Sequence, residues 1–87
     1  MNNDHPIIRY PLSTEKTIRL MESENKLIFI VGLETTKAQI KDAIEKEFKV
    51  KVDKVSTQID PKGRKKAYIK FSDETPAIDV ATKLGLM

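Results

Sequence analysis

The chain contains no cysteine and a single histidine among its 87 residues. No disulfide framework and no cysteine-based zinc site can be built from it, which suits a reducing compartment. His5 stands beside Pro6 near the N-terminus, so neither a Ser/His/Asp triad nor a multi-histidine metal site can be assembled. Glycine is scarce as well. Gly32, Gly63 and Gly85 are isolated from one another, whereas phosphate loops and dinucleotide fingerprints need clustered glycines. Carboxylates at Asp42, Glu45 and Glu47 fall on the wet face of a helix in register with lysines, and Asp73-Glu74 falls in a turn, so no acid/base pair emerges. Neither an enzyme nor a cofactor is expected, and no small-molecule substrate. No apolar run approaches the roughly 18 residues of a membrane span, and the start MNNDHPIIRYP lacks the basic-then-apolar order of a secretory signal. The expectation is a soluble cytoplasmic protein without membrane insertion.

Acidic residues are missing from one stretch in particular, Pro61 to Phe71, although the net charge of the whole chain is only +3. Arg64, Lys65, Lys66 and Lys70 fall there, leading into an alternating Ala67, Tyr68, Ile69, Lys70, Phe71 pattern that reads as a strand. Concentrated positive charge on a rigid strand is how proteins address nucleic-acid phosphates. A solvated basic strand on a lysine-rich protein would look the same by charge alone.

The length is that of one domain, residues 1–87, with 1–9 as an extended tail. Domains of this size bury only roughly 60 to 65 % of their unfolded surface, so the core is thin and a partner is an asset. Ser13 is placed to cap a short helix through Met21, with Glu15 in its first turn and Ile18 and Met21 facing inward. Asn25 turns the chain into a buried strand, Lys26–Val31. Thr36 and Gln39 have capping-box spacing ahead of Ile40, Ala43, Ile44 and Phe48, which share one face of a second helix. A second strand from about Val50 to Ile59 changes apolar phase near Asp53-Lys54, where a bulge is expected. Asp60-Pro61-Lys62-Gly63 has turn chemistry, making a hairpin to the third strand. Thr75-Pro76 opens a last helix and Gly85 closes it. The fold class is thus α+β, a small antiparallel sheet of three main strands in the order 1-3-2 (a split β-α-β unit plus a hairpin). Helices two and three cover one face, and Tyr68 and Lys70 lie on the other.

Tyr68 beside the cations is placed to stack a base, or to be an ordinary half-exposed strand residue. Phe29, Phe48 and Phe71 fit the core. Without a paired aromatic motif, phosphate and shape recognition fits better than capture of splayed bases.

The residues carry a resemblance along nearly the whole chain. It runs through Tyr10-Pro11-Leu12-Ser13-Thr14-Glu15-Lys16, Asn25-Lys26-Leu27 with Phe29 and Val31, Ile40-Lys41-Asp42-Ala43-Ile44-Glu45, and Phe48-Lys49-Val50-Lys51-Val52. It continues through Val55-Ser56-Thr57, Gly63 to Lys70, Asp79-Val80-Ala81 and Leu84-Gly85-Leu86. In this order the sequence resembles the family of ribosomal large-subunit protein L twenty-three.

That resemblance implies a small α/β sandwich that binds large-subunit ribosomal RNA beside other ribosomal proteins, on the outer rim of the polypeptide exit tunnel. By the same resemblance, Ser13, Thr14, Lys16, Thr57, Lys62, Arg64, Lys65 and Lys66 face RNA, joined by Tyr68 and Lys70 from the strand pattern. Glu15 matches the family's acidic docking residue for nascent-chain factors such as the signal recognition particle; complementing the helix dipole is its other reading. The turn between Ile59 and Arg64 is tight where bacterial members have a long loop, which argues against lining the tunnel. The basic N-terminal extension of eukaryotic members is absent too, so an archaeal member fits best. Ser56 stands where the family usually has asparagine. The competing class is a free-standing interaction module whose basic hairpin binds an acidic partner.

Overall fold

The computed structural model describes residues 7–85. His5, Pro6 and most of the expected N-terminal tail, like Leu86 at the other end, lie outside them. Four strands and three helices follow in the order β1 (Ile8–Pro11), α1 (Glu15–Glu24), β2 (Lys26–Val31), α2 (Lys37–Phe48), β3 (Val52–Ile59), β4 (Lys65–Phe71) and α3 (Ala77–Lys83). The strands form one antiparallel sheet in the order β1-β2-β4-β3. The expected 1-3-2 order survives as β2-β4-β3, but the sheet has four strands rather than three. The added strand comes from the proline-flanked segment ahead of α1. Pro11 lacks an N–H, yet an edge strand tolerates it, and the Gly32 and Leu12 N–H groups donate to the Ile7 and Ile28 carbonyls at 3.1 and 2.9 Å to hold β1 on β2.

Alternation sorts the sheet into two faces. Leu27, Phe29 and Val31 on β2, with Ala67, Ile69 and Phe71 on β4, join Ile40 and Ile44 of α2 and Ala77, Val80 and Ala81 of α3 in a single buried cluster. Phe29 stacks on Phe48 with ring centroids 6.2 Å apart. The first helix packs here as well through Met21, so three helices cover this face and not two. Ile18, expected inward, is 37 % exposed, and Thr17 takes the inward position instead. The cap is Thr14 rather than Ser13: its hydroxyl accepts from the Thr17 N–H at 3.3 Å, while the Thr17 hydroxyl accepts from the Thr14 N–H at 2.8 Å.

The second helix starts as its sequence dictates. The Thr36 hydroxyl accepts from the Gln39 N–H and the Gln39 amide oxygen accepts from the Thr36 N–H, a reciprocal capping box. Lys49, at φ 55°, ends it. The strand that follows begins at Val52, two residues later than expected, and the Val52 N–H is taken by the Glu45 carboxylate at 3.0 Å. Between Val52 and Lys54 the register against β4 shifts, which is the expected bulge.

Asn25 connects elements far apart in sequence. Its left-handed backbone, φ 58°, terminates α1, and its side-chain N–H groups donate to the carbonyls of Phe71, Ser72 and Thr75 at 3.0 to 3.2 Å. Its amide oxygen accepts from the Ala77 N–H at 2.6 Å. This last bond corrects the start of α3: Pro76 occupies the cap position without a side-chain bond, and Asn25 satisfies the first helical N–H. The Thr75 hydroxyl accepts from the Lys51 N–H instead. Gly85 closes α3 at φ +79°, as expected.

The β3–β4 turn is built around Asp60. One carboxylate oxygen accepts from the N–H groups of Lys62 and Arg64, both at 2.9 Å, and the other from the Arg64 Nε at 2.9 Å. Gly63 supplies the positive φ of +84° that closes the turn. The backbone N–H of Arg64 first, and then its guanidinium, hold the Asp60 carboxyl below the usual aspartate range, against an opposing push from desolvation.

Two outcomes follow from this packing. Ile44 is fully buried, so Ile44→Ala is expected to lose roughly 2 to 5 kcal/mol in denaturant unfolding; an unchanged midpoint would contradict its place in the core. Because the Asp60 pKa is lowered on folding, its contribution is present above the unfolded value of about 3.9 and disappears as pH falls through the folded one. Unfolding midpoints of the parent and of Asp60→Asn should therefore differ at pH 7, and the difference should shrink as pH falls below the unfolded value.

Candidate nucleic-acid interface

The face of the sheet turned away from the helices carries the even-numbered residues of β2 and β4. Register places Lys26 opposite Lys70, and Lys70 opposite Lys54, so three lysines cross three strands in one row. The next row is Ile28, Tyr68 and Ser56, and the one after it Ile30, Lys66 and Gln58. Ile28 and Ile30 are buried even on this face, and their neighbours in register are Tyr68, Lys66 and Tyr10. The Tyr68 hydroxyl donates to the Gln58 amide oxygen at 3.3 Å, which anchors the ring on the sheet surface.

Opposed residues on a sheet face have Cβ atoms about 4.5 to 5.5 Å apart, and like charges in that relation destabilise the pair. The lysine row therefore works against folding unless counter-charge comes from elsewhere. Lys26 is paired with Glu24 at 2.9 Å, but Lys54 and Lys70 have no ion pair among the described residues. The row borders a shallow groove of about 440 Å³ that Tyr68, Ser56 and Asp53 also line.

The consecutive cations of the hairpin separate into three environments. Lys66 joins the open face in register with Ile30 and Gln58. Lys65 has the opposite phase, and its ammonium donates to the Thr35 carbonyl at 2.6 Å in the β2–α2 connection. Arg64 spans the turn: its Nε donates to Asp60 and its NH1 donates to the Tyr10 hydroxyl at 3.3 Å. These two bonds, Tyr10 first, push the guanidinium pKa up. Lys62 is exposed at the turn. Thr57, opposite Ala67, lies on the helix side and is half-buried, away from Tyr68 and Lys70.

Ser13, Thr14, Glu15 and Lys16 are exposed together at the start of α1. The Thr14 oxygen is occupied as the cap. Glu15 faces solvent and pairs with Arg19 at 3.5 Å, one helical turn on. Sequence reasoning missed Lys26 and Lys54, because membership of the row depends on register across strands and, for Lys54, on the bulge. It also missed Arg9 and Tyr10, which lie on the strand it did not anticipate. Among the described residues no group of histidine, cysteine and carboxylate side chains is arranged to hold a metal, and no helix is long and apolar enough to cross a membrane.

The family model described as Ribosomal protein L23 matches residues 6–81. Large ribosomal subunit protein uL23 of Methanococcus aeolicus is 46 % identical over 80 residues, covering 92 % of this chain and 93 % of that protein. The protein of the same description from Methanococcus vannielii is 49 % identical over 80 residues, with the same coverage. With a family model spanning most of its length and archaeal relatives matched nearly end to end, the chain belongs to the ribosomal protein L23 family.

Proposed function

We propose that this protein binds large-subunit ribosomal RNA at the outer rim of the polypeptide exit tunnel and helps form the docking site for nascent-chain factors. As a member of its family it is a ribosome-bound structural protein of the large subunit, not an enzyme. Its partners are accordingly ribosomal RNA and neighbouring ribosomal proteins. The observation that carries RNA contact on the sheet is the Lys26, Lys70, Lys54 row. A polyanion laid across it supplies the missing counter-charge and releases its own counterions. Tyr68, Ser56 and Gln58 between the lysines add a flat ring and polar groups suited to sugar and phosphate contacts. Lys66 extends the positive face toward the turn. Ser13, Thr14, Lys16, Thr57 and Lys62 are offered as further contacts by family resemblance.

The lysine face is tested by substituting Lys54, Lys66 and Lys70 together with alanine. Binding to large-subunit RNA should weaken, and the slope of log affinity against log salt should flatten by about 0.7 to 0.9 for each phosphate no longer neutralised. The far-UV circular dichroism should stay unchanged. An unaltered slope would remove the sheet face from the reading.

The docking role rests on Glu15, exposed in the first turn of α1. Ribosomes carrying Glu15→Lys should retain the protein in stoichiometric amount and bind the signal recognition particle less tightly. Full factor affinity would leave Glu15 only its interaction with the helix dipole, worth about 0.3 to 1 kcal/mol.

A further inference from the structure

The lysine row does not account for the cations at the opposite end of the sheet. There the β1 bulge and the β3–β4 turn border a second depression, of about 120 Å³, lined by Arg9, Leu33, Gly63, Arg64 and Lys65 beside the end of β2. No carboxylate lines it. Arg9 falls at the register shift between Ile8 and Tyr10, where a bulge re-aims a side chain out of simple alternation. It is exposed and forms no ion pair among the described residues. Gly63 presents no side chain to obstruct the approach, and the space where a Cβ would stand is open.

Arg64 is held in one posture. Its Nε is bonded to Asp60 and one NH1 hydrogen to Tyr10, which leaves three of its roughly five N–H donors for a ligand. Lys65 spends one of three donors on Thr35. The Asp60 side chain is only 6 % exposed and its oxygens are directed at Lys62 and Arg64, so it fixes the guanidinium without facing the depression. A planar fork fixed in advance suits bidentate recognition of an oxyanion, because little rotamer entropy remains to be lost on binding.

We propose that this depression is a seat for one backbone phosphate of RNA, with Arg9 and the outer edge of the Arg64 guanidinium as its direct ligands and Lys65 as a supporting charge. Asp60 and Tyr10 are positioning residues that act through Arg64. The assignment rests on the RNA-binding reading above and adds to it a discrete site on residues outside the lysine face. RNA is favoured over an acidic protein segment because Lys66, the next residue along, continues the positive surface onto the sheet.

The test measures affinity for transcribed large-subunit RNA across a salt series, using the full chain. Arg9→Ala should weaken binding several-fold and lower the salt slope by about 0.7 to 0.9. Arg64→Lys keeps the charge but loses the fork, and should weaken binding as well. Asp60→Asn distinguishes positioning from bulk charge. It adds one unit of positive charge, so a merely long-range effect would tighten binding, whereas loss of the posture of Arg64 weakens it. The asparagine oxygen still accepts from the turn N–H groups, and Tyr10→Phe, with no change of charge, should move affinity in the same direction. Parental affinity and slope in Arg9→Ala and Arg64→Lys, while the Lys54, Lys66 and Lys70 variant weakens, would overturn the seat and leave the RNA-binding reading standing. No effect in either series would overturn both.

Discussion

Asn25 is the constraint on which the rest of the architecture depends. It stops α1 in a left-handed conformation, starts β2, receives the Phe71 N–H on its own carbonyl at 3.2 Å, and ties the β4–α3 connection with every side-chain polar atom it has. An aspartate would lose the donors and an alanine would lose everything. Asparagine is also among the few residues besides glycine that adopt this backbone region readily. The result is that the end of α1 and the beginning of α3 share one half-buried polar junction, and the order of the sheet is fixed there. With β2 and β4 paired from this point, the lysines at 26 and 70 are brought face to face.

The chain shows how far local pattern reaches. Helix α2 was readable because its capping box and its 3.6-residue period agree, and Ile40 and Ile44 lie where that period puts them. The bulge before Val55 was readable because the apolar phase must be restored. In contrast, Ile8–Pro11 shows neither alternation nor length, and its strand character comes from pairing with β2. Helix α1 misled because its period admits two neighbouring phases, and the Thr14–Thr17 capping box turns Thr17 inward and Ile18 outward. The cap of α3 was invisible for another reason: its acceptor belongs to a residue more than half the chain away.

The candidate site was legible as composition and not as geometry. The acid-free segment from Pro61 to Phe71 drew attention to the stretch that the structure forms into β4, Lys65–Phe71. A strand, however, sends successive side chains to opposite faces, so Arg64, Lys65 and Lys66 serve a turn, a loop carbonyl and the open sheet, respectively. The positive surface on the sheet is assembled instead from β2, β3 and β4, one lysine from each, with Lys66 beyond.

That assembly has a consequence for the protein before it meets any partner. Among the described residues the sheet ends in edge strands β1 and β3 and has one face that no helix covers, an arrangement that invites pairing with a second copy. Here the bulge at Asp53-Lys54 distorts one edge, Pro11 denies a donor to the other, and the lysine row repels its own image. If the lysine row binds a polyanion as proposed, the same side chains that would draw the protein to RNA also keep copies of the free chain apart.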